Sequence, residues 1–259
     1  MSEKHTSKNC PLVSVVVPGY RYWEWKKVLD STRSSLGEIS FETIIVGPDN
    51  KSGIIDESVT FIKDYGSPAR CLQMGANIAK GKYLTWACDD GVFIEGALSR
   101  AIDRLEEVND PKFVLGLNYY EGGDPRIEDF FRPRYHADQQ MPGIKEEYRS
   151  SPMFICSTEY FKFLGGLDCR FEHVNFNIHD FMFRVHNDGG KVEIFMEPSL
   201  DIAWDVHAPD YVPVREAYRH TDLPLYQKMY SEDQSSRKSI DFDNWKSSPE
   251  VWDKRFNRQ

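Results

Sequence analysis

The sequence predicts an α/β fold in which helices flank a mostly parallel central sheet and an aromatic-rich C-terminal extension follows. Two apolar, β-branched runs at residues 12–17 and 43–46 are typical of buried strands, and each ends at a Pro-Gly or Gly-Pro pair. A segment with helical spacing separates them. Strand, helix and strand over this length predict a right-handed βαβ unit, and hence a parallel sheet. The 259 residues are 40% hydrophobic and 28% charged, which suits a folded domain with a sizeable core.

The helix of this βαβ unit is predicted directly after the first strand. Its apolar positions recur at the spacing of one helix face: Trp25, Val28, Leu29, Thr32 and Leu36. Residues 75–81 predict a short helix that leads into an apolar strand at 82–87. The clearest helix comes next, since a single apolar stripe runs through Ile94, Ala97, Leu98, Ala101, Ile102 and Leu105. Residues 113–117 predict another strand.

The second half of the chain begins with a segment of different character. Residues 121–151 are rich in glycine, proline and charge, and predict a long functional loop or a mobile lid. Order resumes with an apolar segment at 153–156, followed by a short helix from Thr158 that ends at Gly165-Gly166. A second helix at about 178–187 ends at Gly189-Gly190, and a strand follows at 192–195. From Pro209 onward periodicity is weak, and we expect a cap wrapped on the main domain.

The net charge and the cysteine content limit the possible ligands and the cellular compartment. The net charge of −9 argues against a nucleic-acid surface, which needs clustered Lys and Arg, but it allows a nucleotide whose charge a cation offsets. No apolar run approaches the roughly 20 residues of a membrane span, and the polar start lacks the apolar segment of a signal peptide. The five cysteines are an odd number without CxxC spacing and predict reduced thiols. We therefore expect a cytoplasmic protein.

Turn-forming or acidic residues follow three of the predicted strands, at the edge where an open α/β sheet binds its ligands. The third strand end is the most informative, because Asp89 and Asp90 follow an apolar strand directly. Two adjacent carboxylates repel each other, and hard oxygen ligands favour Mg²⁺ or Mn²⁺. The alternative is that Asp89 caps the following helix.

A second polar cluster lies in the C-terminal half, where Gly165-Gly166-Leu167-Asp168 precedes His179-Asp180 and Arg184. An aspartate on a helix beside a glycine-rich turn can act as general base toward an acceptor hydroxyl. The alternative for Asp180 is an ion pair with Arg184, four residues later on a solvated helix face.

In this order, the segments resemble the motifs of the family 2 glycosyltransferases of the GT-A fold. Val13-Ser-Val-Val-Val-Pro18-Gly-Tyr20 is similar to the family's first strand and its ending, and Phe41-Glu-Thr-Ile-Ile-Val46 to its second strand. The segment 73–84 resembles N-x-G-x-x-x-A-x-G-x-Y-I, and Cys88-Asp89-Asp90 stands where the DxD metal motif belongs. The second polar cluster resembles the motifs GGFD and ED-x-D…R. The resemblance covers roughly residues 12–207.

The sequence departs from the family pattern at three motifs. The second strand normally ends in two aspartates, whereas Gly47-Pro48 intervenes here and only Asp49 remains. Cys88 replaces the first aspartate of the metal motif, which leaves its role to Asp89 and Asp90. His179-Asp180 replaces the acidic pair, so that Asp180 can match either aspartate of the family motif.

The resemblance implies an inverting glycosyltransferase that moves a sugar from a nucleotide-diphosphate sugar to a hydroxyl of a glycan or lipid-linked acceptor, with Asp180 as general base. It implies a divalent metal, Mn²⁺ or Mg²⁺, whose predicted ligands are Asp90, Asp89 and His207. The residues expected on the donor are Pro18, Tyr20, Arg21, Asp49, Gln73 and Asp89. Those expected on the acceptor side are Gly166, Asp168, His179 and Arg184.

The resemblance also predicts how the chain is organised. We expect a tail at 1–10 and a GT-A domain at 11–207, of which 11–118 bind the nucleotide-sugar and 119–207 the acceptor. Residues 208–259 form a cap or extension. A UDP-sugar is slightly favoured as donor. The aromatic and basic extension predicts either a packed cap or peripheral contact with the inner face of a membrane that carries the acceptor.

Other functions fit a sheet of this kind. A nucleotidyltransferase that makes sugar nucleotides needs a glycine-rich, basic loop after the first strand, whereas residues 18–23 are aromatic and poor in glycine. A non-catalytic sugar- or nucleotide-binding module stays open because Gly47 and Cys88 stand where aspartates belong. A structural α/β domain, in which the acidic pair only caps a helix, is the third alternative.

Overall fold

The computed structural model describes residues 10–50, 53, 58–121, 148–203, 216–230 and 237–247, together with the backbone of 134–135. The strands in these ranges are β1 Val13–Pro18, β2 Phe41–Gly47, β3 Val59–Lys63, β4 Tyr83–Trp86, β5 Gly91–Phe93, β6 Phe113–Glu121, β7 Arg134–Tyr135, β8 Phe154–Ser157 and β9 Lys191–Ile202. The helices are α1 Trp25–Leu36, α2 Pro68–Ile78, α3 Ala97–Val108, α4 Thr158–Phe163, α5 Val174–Asn187 and α6 Leu223–Met229. A π-helix at Tyr218–Asp222 precedes α6, and a 3₁₀-helix spans Phe242–Ser247.

The strands form one sheet in the order β3-β2-β1-β4-β8-β6-β9-β5, and β7 pairs with β6 off this path. The N-terminal strands β3, β2, β1 and β4 are parallel to one another. β8 runs antiparallel between β4 and β6, β6 pairs in parallel with β9, and β5 is antiparallel to β9. The predicted α/β fold is therefore confirmed. Its parallel character belongs to the N-terminal half, and the C-terminal half is mixed.

The core lies where the sequence patterns place it. The valines of β1 are fully buried because helices cover both faces of a parallel sheet. All five positions of the predicted α1 stripe are buried. In α3 the buried face consists of Ala97, Leu98, Ala101, Ile102 and Leu105, as the apolar stripe predicts.

Element boundaries differ from the prediction where a cap or a tertiary pairing sets them. α2 begins at Pro68, seven residues before the predicted start, because Ser67 caps it by accepting a hydrogen bond from the Arg70 amide. α5 begins at Val174, where the His173 side chain accepts from the Asn175 amide. β9 continues to Ile202 because it follows β6 through a register shift at Leu117/Asn118. The edge strand β3, which the sequence analysis did not predict, pairs with β2.

The described part of the C-terminal extension packs against α5. Tyr218 stacks on Phe176 with ring centroids 4.9 Å apart, and Tyr226 packs on Phe176 at a tilt with centroids 5.0 Å apart. Tyr226 also stacks on Tyr230 at 4.4 Å. These contacts agree with a packed cap, while the predicted domain boundaries stay predictions. No helix among the described residues is long and apolar enough to cross a membrane. Most of the loop predicted at 121–151 lies outside the described residues.

Candidate functional site

The carboxyl ends of β1, β2 and β4 lie side by side at one edge of the sheet. β1 is the middle strand, with Pro18 opposite Val46 of β2 and Val16 opposite Trp86 of β4. The three segments that follow these strands therefore meet at the edge where α/β sheets bind ligands. Pro18, Tyr20, Arg21, Asp49 and Asp90 are all partly exposed there.

Asp89 holds the loop after β1 in place. Its Oδ2 accepts hydrogen bonds from the backbone amides of Tyr20 (2.7 Å) and Arg21 (2.6 Å). Its Oδ1 accepts from Nη1 of Arg21 at 2.7 Å. The side chain is buried, and both oxygens are used within the protein. Asp89 is therefore a loop-anchoring residue in this structure. It does not cap α3, whose N-cap is Gly96.

Asp90 lies beside the same arginine and is more open. Nη1 of Arg21 is 3.4 Å from Asp90 Oδ2, and the Asp90 side chain is 16% exposed, compared with 6% for Asp89. Burial raises the pKa of the Cys88 thiol well above its usual value, and the carboxylates of Asp90, Asp89 and Glu121 add to this. Cys88 is therefore a neutral thiol near three carboxylates.

Glu121 is a site candidate that the sequence analysis missed. It is the last residue of β6 and stands opposite Ile202, which in turn pairs with Gly91, the neighbour of Asp90. Burial raises the pKa of its carboxyl. An acidic residue at the end of an apolar strand could have identified Glu121, as it identified Asp89. It was missed because the predicted strand ended at residue 117, four residues before Glu121.

There is a steric reason why glycine, and not the aspartate of the family pattern, stands at position 47. A side-chain carbon at this position would collide with the carbonyl of Gly19 in the loop after β1. Only glycine permits this approach of β2 to the loop. An aspartate at 47 would displace the loop that Asp89 anchors.

Gln73 is fully buried. Its amide nitrogen donates to the carbonyls of Gly165 (2.8 Å) and Phe242 (2.9 Å), and its oxygen accepts from the Leu167 amide at 2.9 Å. The side chain thus joins α2 to the glycine turn. Both donors of the amide nitrogen are used within the protein, and the predicted contact of Gln73 with a nucleotide stays a prediction.

The predicted acceptor-side residues come together around that glycine turn. Gly165 and Gly166 end α4 with positive φ angles of 86° and 66°. A side-chain carbon at Gly166 would collide with the Gln73 amide, so that the turn and α2 are in close contact. Asp168 follows the turn and is buried, with Arg170 and Arg237 bound to its carboxylate.

Asp180 is fully buried, which differs from the setting predicted for a general base. Its Oδ2 accepts from Nε of Arg184 at 2.9 Å, and its Oδ1 accepts from the Tyr230 hydroxyl (2.7 Å) and Nε of Arg237 (2.6 Å). Burial alone would raise the pKa of this carboxyl, but Arg184 and Arg237 outweigh it and lower the pKa to about 2. In this conformation no acceptor hydroxyl reaches Asp180. The alternative pairing with Arg184 is present, although it is buried and not solvated.

Arg184 and His179 are the remaining residues predicted on the acceptor side. Arg184 is fully buried and also donates to the carbonyls of Leu164 and Gly166. Nδ1 of His179 is 2.9 Å from the Tyr148 hydroxyl, and burial lowers the pKa of the imidazole to about 4. His179 is therefore neutral at physiological pH.

Arg237 and Tyr230 are the residues of this network that sequence reasoning missed. Both come from the C-terminal extension, more than 40 residues beyond Arg184 in the chain. Arg237 bridges the two aspartates, with Nη2 3.1 Å from Asp168 and Nε 2.6 Å from Asp180. No local pattern marks either residue, since the contact depends on how the extension folds back.

The predicted metal ligands fit a cation only in part. Both oxygens of Asp89 are hydrogen-bonded, and Asp90 is the more exposed of the two carboxylates. His207 lies outside the described residues. Within the described ranges, no group of three or more His, Cys, Asp or Glu side chains is arranged to hold a metal ion.

Known proteins resemble this chain in fold and not in sequence. No protein-family model matches the chain, and neither does any curated protein sequence. Residues 1–349 of TarS from S. aureus superpose with a TM-score of 0.60 at 12% identity, over 95% of this chain and 71% of that one. The same protein in complex with UDP gives a TM-score of 0.52 at 13% identity, over 86% and 73%.

A second protein of known structure has the same architecture. GalNAc-T7 with UDP, GalNAc and Mn²⁺ gives a TM-score of 0.56 at 15% identity, over 97% of this chain. The chain spans 58% of that protein and 43% of the longer TarS structure. The chain thus has the GT-A fold of the glycosyltransferases, and the similarity at these identities concerns the fold.

Proposed function

We propose that the chain is a glycosyltransferase that takes a sugar from a nucleoside-diphosphate sugar and transfers it to a hydroxyl of a glycan or lipid-linked acceptor. The observation that carries this proposal is the strand-end edge of a GT-A fold, where Asp89 fixes the loop after β1 through three hydrogen bonds. Pre-ordered loops at this edge suit a nucleotide. UDP in the TarS and GalNAc-T7 structures supports a UDP-sugar as donor.

The donor would lie across the ends of β1, β2 and β4. Tyr20 offers a partly exposed aromatic ring for the nucleobase, and Asp49 lies at the end of the neighbouring strand. Arg21 is within ion-pair distance of both acids and suits a diphosphate, because a guanidinium binds phosphate oxygens with paired hydrogen bonds.

Asp90 is the residue that would hold a divalent ion, Mn²⁺ or Mg²⁺, since such ions bind through one or two carboxylates together with substrate phosphates. The bound ion would stabilise the charge of the leaving diphosphate. Asp89 contributes indirectly, by keeping the loop that carries Tyr20 and Arg21 in position.

The inverting mechanism with Asp180 as base stays a prediction. A general base must reach the proton that it removes, within hydrogen-bonding distance or through one water. For Asp180 this would require Arg237 and Tyr230 to withdraw from Oδ1. The burial of Asp180 thus favours a second candidate function, a module that binds a nucleotide sugar without transferring it.

Release of nucleoside diphosphate from a panel of nucleotide sugars, measured with Mn²⁺ present, tests this proposal. We expect the full chain to release diphosphate from at least one donor, and Asp90→Asn to lower the rate about 100-fold, as for loss of one stabilising group. Asp103→Asn, on an exposed face of α3, serves as control with an unchanged rate. Donor binding without release would favour the non-catalytic module. Neither binding nor release of any donor would overturn the proposal.

A further inference from the structure

Arg21 lies between the two carboxylates of the candidate donor site. A single nitrogen, Nη1, is 2.7 Å from Asp89 Oδ1 and 3.4 Å from Asp90 Oδ2. The guanidinium therefore occupies the place from which one cation can neutralise both side chains. A divalent ion that bridged the pair would have to displace it.

We propose that Arg21 couples cation binding to nucleotide binding: it neutralises Asp89 and Asp90 in the free protein and turns to the donor diphosphate when a divalent ion binds at Asp90. This inference rests on the proposed function, since it assumes that the ligand of this edge is a nucleoside diphosphate. It assigns Arg21 a role beyond contact with a phosphate. The residue controls when the cation can bind.

The charges of the group explain the coupling. Asp89, Asp90 and Arg21 together carry one net negative charge, whereas the acidic pair without Arg21 carries two. The guanidinium thus weakens the attraction for a divalent ion and competes for the same oxygens. A diphosphate offers the guanidinium a better partner, with paired charge-assisted hydrogen bonds. Binding of the divalent ion therefore strengthens binding of the diphosphate, and by thermodynamic linkage the diphosphate strengthens binding of the ion by the same factor.

The backbone geometry allows such a movement of the side chain alone. The amides of Tyr20 and Arg21 stay bound to Asp89 Oδ2 at 2.7 and 2.6 Å, and neither bond involves the guanidinium. The Arg21 side chain is 19% exposed at the edge of the sheet. The loop can therefore keep its position while the guanidinium exchanges one anionic partner for another.

Calorimetric titration of Mn²⁺ into the free, full-length chain tests this inference without reference to activity. We expect Arg21→Met to bind Mn²⁺ at least about tenfold more tightly than the unmodified chain, because the acidic pair loses the positive charge of Arg21. Arg21→Lys keeps the positive charge and should bind Mn²⁺ about as weakly as the unmodified chain. Arg33→Met, on an exposed face of α1, controls for loss of a surface charge.

A titration of UDP with and without Mn²⁺ measures the coupling itself. In the unmodified chain Mn²⁺ should strengthen UDP binding at least about tenfold, and Arg21→Met should reduce that factor. Equal Mn²⁺ affinity of the unmodified chain and of folded Arg21→Met would overturn the inference. If no nucleoside diphosphate bound to any variant, the proposed function would fail, while the comparison with Mn²⁺ alone would still decide the role of Arg21. Circular dichroism establishes that each variant is folded.

Discussion

Asp89 accepts three hydrogen bonds from the loop after β1, and these bonds determine what a substitution would cost. Asp89→Asn removes the negative charge that holds Arg21. It also replaces one carboxylate oxygen, which accepts a hydrogen bond, with an NH₂ group that faces an N–H donor of the loop. Because hydrogen bonds to charged groups contribute about 1.5–3 kcal/mol, we expect a loss of about 2 kcal/mol in the free energy of unfolding. Urea denaturation measures this loss.

Asp90→Asn is the matched comparison for Asp89→Asn. Nη1 of Arg21 lies farther from Asp90 than from Asp89 and the Asp90 side chain is more exposed, so the loss should stay below about 1 kcal/mol. Equal losses for the two variants would contradict the anchoring role of Asp89.

At the level of single residues, sequence reasoning succeeds where the local pattern carries the information. Asp89 and Asp90 were predicted at a strand end, and they lie at that edge. Gln73 and Asp180 were expected at a ligand, yet both are buried among partners distant in sequence. A residue's type and neighbours do not reveal whether a far segment, such as the one with Arg237, folds back onto it.

Among the helices and strands too, those marked by a local apolar pattern were predicted and the others were missed. α1 and α3 were predicted because an apolar stripe at helical spacing identifies the buried face. β3 was missed because only one of its five residues is buried, so the strand lacks the apolar run of a central strand. The start of α2 depends on the cap at Ser67, which the pattern of apolar residues does not contain.

The segment that carries Arg237 attaches the C-terminal extension to α5, and this attachment can be tested by comparing two arginines. Arg237→Met leaves the buried Asp180 and Asp168 with one cation fewer, so we expect a loss of about 3 kcal/mol in the free energy of unfolding. Arg170→Met should cost less than about 1 kcal/mol, because the Arg170 side chain is 48% exposed. Chemical denaturation of both variants provides the comparison. Equal losses would show that Arg237 does not attach the extension to α5.

Asp222, at the end of the π-helix, makes the attachment of the extension sensitive to pH. Burial raises the pKa of its carboxyl to about 6, although the amides of Glu172 and His173 donate hydrogen bonds to it. Since the folded-state pKa lies above the unfolded value of 3.8, this group stabilises the fold most at low pH. That contribution, about 3 kcal/mol, is lost as the pH rises through 6.

Asp222→Asn should remove this pH dependence. We expect the free energy of unfolding of the variant to change less than that of the unmodified chain between pH 4 and about 7, measured by urea denaturation at each pH. If the free energy of unfolding of the variant changed between the two pH values as much as that of the unmodified chain, Asp222 would not titrate in this range.

For the molecule as a whole, the sequence predicts the parallel half of the sheet far better than the mixed half. The βαβ rule fixes the direction and handedness of β1, β2 and β4 from local order alone. The antiparallel insertion of β8 between β4 and β6 joins segments about 70 and 40 residues apart, and no short pattern encodes such a pairing. The same limitation applies to the extension, whose contacts with Gln73 and with the residues after the glycine turn depend on how it folds back.

We expect the edge formed by β1, β2 and β4 to bind a nucleoside diphosphate. The most direct measurement is the melting temperature of the full chain with a panel of nucleoside diphosphates in the presence of Mn²⁺. Ligand at about 100 times its dissociation constant adds about 2.7 kcal/mol, which predicts a rise of roughly 5–10 °C for at least one nucleotide, UDP first, and a smaller rise for Asp90→Asn. Melting temperatures that no nucleoside diphosphate changes, with or without Mn²⁺, would contradict the account.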